Sequence, residues 1–321
     1  MVAQACATSV RGMATAAADI MLGQASTALV LMADRVSNGP QLYHPDPAGP
    51  GGSGVHENWV LDNFSKDPWS GLAMLQTGER VARRHGISTA RTERRHPAPL
   101  RAIRAGLRRR ARVPAPLHDP ALRAARCRLR QDRGHAAGRR GHPRHHRRGP
   151  GAADAGAAGR QHHLWRPDPS GGRQRRHADD HGARARELSR RPEIGVEVLA
   201  FGQSRTETGY MPQAPIEAAR RALDRAGLKP ADLHAVKTHN PFVVSDIALA
   251  RATGLDVMEM NNYGCSLVWG HPQAPTGLRS VIELIEELAQ RGGGLGLFTG
   301  CAAGDSAMAV ALRVDAAGGR P

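Results

Sequence analysis

Four side chains able to do chemistry are spread widely along this sequence: the thiols of Cys6 and Cys301 and the imidazoles of His239 and His271. The last three each lie beside a predicted strand end or a glycine-rich turn. Taken singly, each favours a structural role, because histidines at turns and cysteines among small residues usually serve packing. Together they supply two thiols and two imidazoles, a set suited to nucleophilic acyl transfer combined with proton abstraction.

Cys6 comes just ahead of a stretch with the periodicity of an amphipathic helix. Val10, Met13 and Ala17 recur at spacings of three and four, and Gly23 is a suitable stop signal. Unpaired N–H groups and the positive dipole end of a helix favour a thiolate. The sequence therefore predicts a Cys6 thiol that is more acidic and more nucleophilic than a free one. The alternative is a small buried hydrophobic residue.

The cysteines show no close pairing and no CxxC spacing: they are Cys6, Cys127, Cys265 and Cys301. This pattern predicts reduced thiols in a cytoplasmic protein. No signal peptide is visible, and no apolar run is long enough to span a bilayer, so we expect no membrane partner.

The formal net charge of +16 at pH 7 comes from one segment. Residues 91–180 contain 24 arginines, no lysine and 7 acidic residues, and the rest of the chain is close to neutral. The segment has one aromatic residue, Trp165, and lacks sustained helical or strand periodicity. Such a composition cannot build a packed core, so we expect residues 90–183 to be disordered.

The segment is rich in arginine, alanine, proline, glycine and histidine and contains no lysine. A GC-rich gene yields this composition when it is translated in a wrong reading frame. Shifting the reading of residues 160–180 by one nucleotide permits "GSTTYGGQTHPAGGNAGMLM", which has the composition of a folded protein. We hypothesise a compensated frameshift over about residues 90–182. An arginine-rich arm that binds nucleic acid is the alternative, but natural basic tails mix lysine with arginine.

Outside this segment the sequence alternates between strand and helix, which predicts an α/β fold with covered sheets. Residues 26–40 are predicted as a buried strand followed by a turn, and residues 67–88 as a helix that ends at Gly86. The remaining predictions are strands at 192–204 and 234–242, a helix within 214–233 that is closed by Gly227, a helix at 276–294, and two strands joined by a glycine-rich bend within 294–314.

Several short stretches, in this order, resemble the thiolase family of acetyl-CoA acetyltransferases and 3-ketoacyl-CoA thiolases. "CATSVRGMATAA" resembles the segment that carries the acylated cysteine, and "QTGERVARRHGIS" resembles a helix of the family's loop domain. "HNPF" resembles the element that holds a catalytic water, "GHP" within "NNYGCSLVWGHPQAPTG" resembles the Gly-His-Pro motif, and "CAAGD" resembles the terminal Cys-x-Gly-Gly-Gly. The out-of-frame "GGQTHPAGGNAGM" also resembles a stretch of these enzymes. The order of cysteine, histidine and cysteine is far more specific than any single motif.

The resemblance implies roles for all four side chains. Cys6 would take the acyl group as a thioester, with His271 accepting its proton. Cys301 would remove the α-proton of acetyl-CoA, or protonate the leaving enolate in the reverse direction. His271 and a water held by His239 would face the thioester oxygen, while backbone N–H groups near Cys6 and Ala303 would face the tetrahedral oxyanion. No metal or other cofactor is implied, and the substrates would be coenzyme A thioesters.

The resemblance also implies a layered αβαβα architecture with an incomplete first half. Residues 1–89 would be the remnant of the N-terminal thiolase half and residues 184–321 the C-terminal half. Because the chain begins almost at Cys6 and residues 90–183 interrupt the loop domain, we expect a truncated and inactive thiolase. Members of the intact family form homo-oligomers, and the sequence leaves the assembly of this chain open.

Four positions depart from the family pattern: Ala303 and Asp305 replace glycines after Cys301, Cys265 replaces a glycine, and His239 stands where many members have asparagine. Asp305 is expected to alter the turn or crowd coenzyme A. A ketoacyl synthase is disfavoured, because those enzymes use two histidines with one cysteine. A non-catalytic protein that binds acyl-CoA and an arginine-rich nucleic-acid-binding protein remain the alternatives to the enzyme.

Overall fold

The structure is a computed structural model, and it describes residues 2–34, 39–88 and 182–316. The predicted disorder of residues 90–183 and the hypothesised frameshift concern residues that, apart from 182 and 183, lie outside the described residues. The proposed domain limits at 89 and 184 therefore stay predictions.

The main feature is a four-stranded sheet built by the C-terminal part of the chain. Its strands in spatial order are β3 (Ile194–Arg205), β6 (Ser306–Ala316), β5 (Gly293–Ala302) and β4 (Ala235–His239). β6 pairs antiparallel with both β3 and β5, whereas β4 and β5 are parallel. Because the carboxyl ends of parallel strands meet at one edge, β4 and β5 deliver His239 and Cys301 to the same end of the sheet.

Helices cover both faces of this sheet. On one face pack α1 (Thr8–Met21) and α7 (Gln273–Gln290), and on the other pack α4 (Ala214–Ala226) and α5 (Val243–Thr253). Residues of β6 alternate between the two cores: Met308 and Val310 contact the α1 and α7 side, and Ala307 and Ala309 the α4 side. This alternation is what a strand buried on both faces requires.

Shorter elements complete the described residues. They are β1 (Gln41–His44), β2 (Val55–Asn58), α2 (Leu61–Ser65) and α3 (Met74–Arg84) in the N-terminal region, and α6 (Ser266–Trp269) ahead of α7. β1 and β2 form an antiparallel pair of their own. None of the described helices is long and apolar enough to cross a membrane.

The predicted α/β class is confirmed, and the helices and strands predicted between 192 and 314 are present. Among the described residues there is one large sheet with helices on both faces, which supplies three of the five layers that the resemblance implies.

Two N-terminal predictions were wrong in whole or in part. Residues 26–34 form no strand and are mostly exposed, because no strand pairs with them among the residues that the structure describes. The helix predicted over 67–88 begins only at Met74, since the Asp67 carboxylate accepts hydrogen bonds from the N–H groups of Trp69 and Ser70 and holds a turn there.

Candidate active site

The four predicted side chains converge at the carboxyl end of β4 and β5. His239 pairs in register with Gly300, and Cys301 follows directly on β5. A Cβ on Gly300 would lie 2.7 Å from the Cβ of His239, so a glycine is needed here for the imidazole to lie beside β5. Glycine at this position therefore has a steric reason.

Cys6 lies in a tight turn ahead of α1. Ala5 has a φ of 42°, in the left-handed region that alanine rarely adopts. The Thr8 hydroxyl stabilises the turn, because it donates to the Ala5 carbonyl at 2.7 Å and accepts from the Gln4 N–H at 2.8 Å. Unusual backbone of this kind is concentrated at functional sites. The sequence did not indicate a positive φ at Ala5, because alanine seldom adopts the left-handed conformation.

Contacts between α1 and α7 bring Cys6 to His271, which lies just before α7. The Ser9 hydroxyl donates to the Ala274 carbonyl. Gly277 faces the same serine, and a Cβ there would lie 3.0 Å from the Ser9 Cβ. The small residue lets the two helices approach closely. Sequence analysis did not single out Ser9, although it lies only three residues after Cys6.

The Cys6 Sγ lies 3.0 Å from the His271 Nε2. The other ring nitrogen, Nδ1, lies 2.8 Å from the Thr276 Oγ1, and that hydroxyl donates its own hydrogen to the Pro272 carbonyl at 2.5 Å. Thr276 can therefore only accept from the ring, so Nδ1 carries the proton. This leaves the Nε2 lone pair of a neutral His271 aimed at the Cys6 thiol.

His239 stacks against His271, with ring centroids 3.8 Å apart. Its Nδ1 lies 3.0 Å from the Ser266 Oγ. Its Nε2 is buried without a hydrogen-bond partner, although the residue is only 1 % exposed. A buried polar atom of this kind is costly unless something binds it, which makes this nitrogen a candidate ligand or water position.

A buried carboxylate, Asp246, holds the residues on either side of His239. It accepts from the Thr238 hydroxyl at 2.6 Å and from the Asn240 amide at 2.6 Å, and the Asn261 amide lies at 3.1 Å. Burial raises the pKa of Asp246 to about 6, against the lowering effect of these hydrogen bonds. Sequence analysis missed Asp246 because its partners come from two other segments, one at 238–240 and one at Asn261.

The Cys6 thiol is not acidic, contrary to the expectation from the start of α1. Burial raises its pKa to about 12, and the charge of Asp34 adds to the rise. The backbone N–H groups of Ala303 and of Cys6 itself lower it, but by less. Loss of solvent outweighs these dipoles, since a thiolate inside a protein loses its hydration. The Cys301 pKa is likewise raised, first by burial and then by Cys6.

Both imidazoles are neutral at physiological pH. Burial, then the positive charge of Arg279, lowers the pKa of His271 to about 4, although Asp34 opposes the shift. Burial, then His271, then Arg279 lowers the pKa of His239 well below its ordinary value. The resting site therefore contains neutral thiols and neutral imidazoles rather than a thiolate–imidazolium pair.

The turn after Cys301 contains two consecutive residues in the left-handed region. Gly304 and Asp305 both have positive φ, 78° and 55°. Aspartate tolerates this conformation better than most residues. Its carboxylate accepts from the Gly209 N–H at 2.9 Å, which fixes the side chain on the 209 loop. Whether Asp305 alters the turn of the family stays a prediction.

Cys265, the other departure, is a buried thiol outside this group. Cys6, His239 and His271 also offer donor atoms that all lie within 4.8 Å of one another, a set that soft metal ions prefer.

Comparison with known proteins identifies the C-terminal region. Residues 193–314 match the family described as "Thiolase, C-terminal domain". The chain is 36 % identical over 149 residues to a 3-ketoacyl-CoA thiolase of Erwinia tasmaniensis, which is 40 % of this chain and 34 % of that protein. It is 37 % identical over 118 residues to a 3-ketoacyl-CoA thiolase of Photorhabdus laumondii, which is 32 % of this chain and 27 % of that protein. The chain thus spans about a third of the length of the curated relatives that it matches.

Solved structures share the fold. Human mitochondrial 3-ketoacyl-CoA thiolase superposes with a TM-score of 0.67 at 17 % identity, covering 96 % of this chain and 77 % of that one. The Acat5 thiolase of Ascaris suum in complex with coenzyme A gives a TM-score of 0.63 at 16 % identity, with coverage of 96 % and 77 %. Residues 193–314 are thus similar in sequence to the C-terminal domain of thiolases, and the chain shares the thiolase fold.

Proposed function

We propose that this protein is a thiolase-type acyl-CoA C-acyltransferase, which forms or cleaves 3-ketoacyl-CoA through an acyl thioester on Cys6. The observation that carries the proposal is the 3.0 Å contact between the Cys6 Sγ and the His271 Nε2, whose lone pair Thr276 leaves free to accept the thiol proton. Its relatives named 3-ketoacyl-CoA thiolase support the same reaction class.

In the first step, Cys6 attacks the carbonyl carbon of an acyl-CoA while its proton passes to the His271 Nε2. The new bond joins sulfur to the acyl carbon, and the bond between that carbon and the coenzyme A sulfur breaks. The proton on His271 then neutralises the departing coenzyme A thiolate. A neutral imidazole is the right form for this step, because it must accept a proton before it can donate one.

Backbone N–H groups would stabilise the tetrahedral oxyanion. The N–H groups of Ala303 and Cys6 already point at the Cys6 thiol, where the attacked carbon would lie. Donors fixed in advance stabilise developing charge without reorganising during the reaction. The unpartnered Nε2 of His239 is suited to hold a water against the thioester oxygen.

In the second step, Cys301 handles the proton on the α-carbon of acetyl-CoA. In the condensing direction Cys301 first releases its own proton to solvent and then removes the α-proton. The resulting carbanion attacks the acyl carbon on Cys6, and the bond between that carbon and the Cys6 sulfur breaks. In the cleaving direction the Cys6 sulfur forms a bond to the ketone carbon, the bond between that carbon and the α-carbon breaks, and the Cys301 thiol protonates the resulting enolate. The raised pKa of Cys301 keeps it in the protonated form that cleavage uses.

No metal or other cofactor enters this mechanism. We propose acyl-CoA thioesters as the substrates, the cytoplasm as the location and a homo-oligomer as the assembly, following the family. The coenzyme A bound in the structure of the Ascaris suum relative supports the substrate class.

Trapping the acyl-enzyme tests the proposal. The full chain is incubated with acetyl-CoA, quenched in acid and analysed by peptide mass spectrometry. We expect one acetyl group on the peptide that contains Cys6 and none in Cys6→Ala. Cys301→Ala should still be acylated on Cys6 but should form no 3-ketoacyl-CoA. Cys265→Ala, the control, should be acylated and should also form 3-ketoacyl-CoA. Failure to label Cys6 in the folded chain would refute the proposal and support the expectation of an inactive protein.

The role of the base is tested by two further variants. His271→Ala should slow acylation of Cys6 by about 10²–10⁴-fold, the usual contribution of a general base. Thr276→Val keeps the shape but removes the acceptor for the His271 Nδ1–H, so it should slow acylation by a smaller factor. An unchanged rate in both would show that His271 is not the base.

The same protein preparation tests the two alternative functions. A non-catalytic acyl-CoA-binding protein predicts saturable binding of coenzyme A without an acylated Cys6. A nucleic-acid-binding protein predicts DNA affinity that falls steeply with salt concentration and is lost when residues 91–180 are deleted.

A further inference from the structure

We propose that Cys6, His239 and His271 together bind a thiophilic divalent cation such as Zn²⁺, which blocks the site against acyl-CoA. Nothing in the acyl-transfer steps uses such an ion, so it would be an inhibitor rather than a cofactor. The binding itself does not rest on the proposed reaction.

The geometry of the three donor atoms is close to that of a zinc site. Tetrahedral zinc with one sulfur and two nitrogen ligands sets its donor atoms about 3.3–3.6 Å apart. Here the Cys6 Sγ and the His271 Nε2 lie 3.0 Å apart, and the donor atoms of all three residues lie within 4.8 Å of one another. Side-chain shifts of about 1 Å would complete the three-ligand set and leave a fourth position open.

The far side of each imidazole is bound in the way that metal-ligating histidines require. The Nδ1 of His271 contacts the Thr276 hydroxyl and the Nδ1 of His239 contacts the Ser266 hydroxyl. Partners of this kind orient the ring so that Nε2 presents its lone pair to a metal. The buried Nε2 of His239 has no hydrogen-bond partner, so a ligand there would satisfy an atom that the protein leaves unbound.

Two charged side chains act on the site in opposite senses. Asp34 stabilises a cation there, whereas Arg279 opposes one. Coordination releases the Cys6 proton to solvent and leaves a thiolate, whose charge offsets Arg279. The bound ion would then occupy both the nucleophile and the base, and Cys6 could neither attack a thioester nor be alkylated.

Cobalt absorption tests the site directly. The full chain, freed of metals with a chelator, is titrated with Co²⁺, a spectroscopic substitute for Zn²⁺. We expect a sulfur-to-cobalt charge-transfer band that saturates at one equivalent and disappears in Cys6→Ala. His239→Asn and His271→Asn should weaken Co²⁺ binding at least about tenfold, whereas His85→Asn, outside the cluster, should not.

The arginine-rich segment makes a further control necessary. Residues 91–180 contain nine of the chain's 16 histidines together with Cys127, and these side chains could also bind Co²⁺. Cys127→Ala should keep the charge-transfer band. A band that survives Cys6→Ala, one that is lost in Cys127→Ala instead, or no band at all would each overturn the proposal.

A second measurement uses the unmodified chain and needs no folded variant. Alkylation of Cys6 by iodoacetamide is followed by mass spectrometry with and without one equivalent of Zn²⁺. We expect Zn²⁺ to slow alkylation of Cys6 at least about tenfold, and a chelator to restore the original rate. Equal rates with and without Zn²⁺ would contradict the site even if Cys6 is readily acylated by acetyl-CoA.

Discussion

The N-terminal region, residues 2–88, and the C-terminal region, residues 193–316, differ sharply in how they bury their apolar residues. The C-terminal region encloses a four-stranded sheet between helices, and its central strands β5 and β6 are almost wholly buried. The N-terminal region has only the short pair β1 and β2, and most of the exposed large apolar side chains of the described residues belong to it, Leu22, Leu29, Leu31, Trp59 and Leu61 among them.

The proposed nucleophile, Cys6, nevertheless belongs to the less buried region. Cys6 is placed by contacts that the C-terminal region provides: the Ala274 carbonyl, the close approach at Gly277 and the His271 imidazole. The side chains of the candidate site can thus be brought together while one of the regions that supplies them has little core of its own. The C-terminal region carries the stability, and α1 depends on it.

A matched pair of leucine truncations gives the largest expected contrast. Leu284→Ala in α7 removes a side chain that is 0 % exposed, and we expect a loss of about 2–5 kcal/mol in the free energy of unfolding. Leu31→Ala removes one that is 76 % exposed, and we expect a change within about 0.5 kcal/mol. Urea unfolding measures both. A loss at Leu31 as large as that at Leu284 would mean that residues 26–34 are covered in solution.

The pH dependence of stability tests the contact between the regions. His271 stays neutral in the folded protein down to a pKa of about 4, whereas in the unfolded chain it binds a proton near its ordinary value of 6.5. Its contribution is therefore fully present above pH 6.5 and is lost as the pH falls through about 4. The shift corresponds to about 3 kcal/mol.

We expect His271→Gln to remove the part of the pH dependence that comes from this imidazole. The difference in free energy of unfolding between the original protein and the variant should therefore shrink by about 3 kcal/mol from pH 7 to pH 4. Asp246, with a raised pKa of about 6, acts in the opposite direction over this range but is present in both proteins. His56→Gln removes an exposed imidazole from β2 and serves as the control. If His56→Gln changed the slope of unfolding free energy against pH as much as His271→Gln does, the pH dependence could not be assigned to His271.

Two glycine substitutions give the smallest and most local contrast. Gly300→Ala would place a Cβ 2.7 Å from the Cβ of His239, and we expect a loss of about 1–3 kcal/mol and a displaced imidazole. In α1, a Cβ on Gly12 would lie 2.5 Å from the Met32 Cε, the end of a flexible side chain that can move. Gly12→Ala should therefore gain up to about 1 kcal/mol of helix stability. Thermal unfolding distinguishes the two, and a gain in stability for Gly300→Ala or a loss for Gly12→Ala would contradict the comparison between the regions.

The fold of the C-terminal region followed closely from the sequence. The helix at 214–226 ends at Gly227 as predicted, because that glycine adopts the left-handed conformation that closes a helix. The two strands around Cys301 were predicted from their apolar residues and the glycine-rich bend. Patterns of this kind depend on neighbours a few residues apart, so they can be interpreted without the tertiary structure.

The N-terminal predictions failed where pairing partners decide the structure. Residues 26–34 have the composition of a strand, but among the described residues no strand lies beside them, and a strand without a partner leaves its backbone hydrogen bonds unmade. The turn at Asp67 was missed because a side-chain carboxylate there replaces the first turn of the predicted helix.

The sequence by itself determined which residue types are available at this site, the order in which they occur and the secondary structure that carries most of them. Only the tertiary structure decided their chemical state. The left-handed turn at Ala5, the tautomer that Thr276 imposes on His271 and the raised pKa of Cys6 all arise from contacts between distant parts of the chain. Cys6 and His271 are 265 residues apart, and the loss of solvent around a thiol depends on everything packed against it, which no local pattern of residues records.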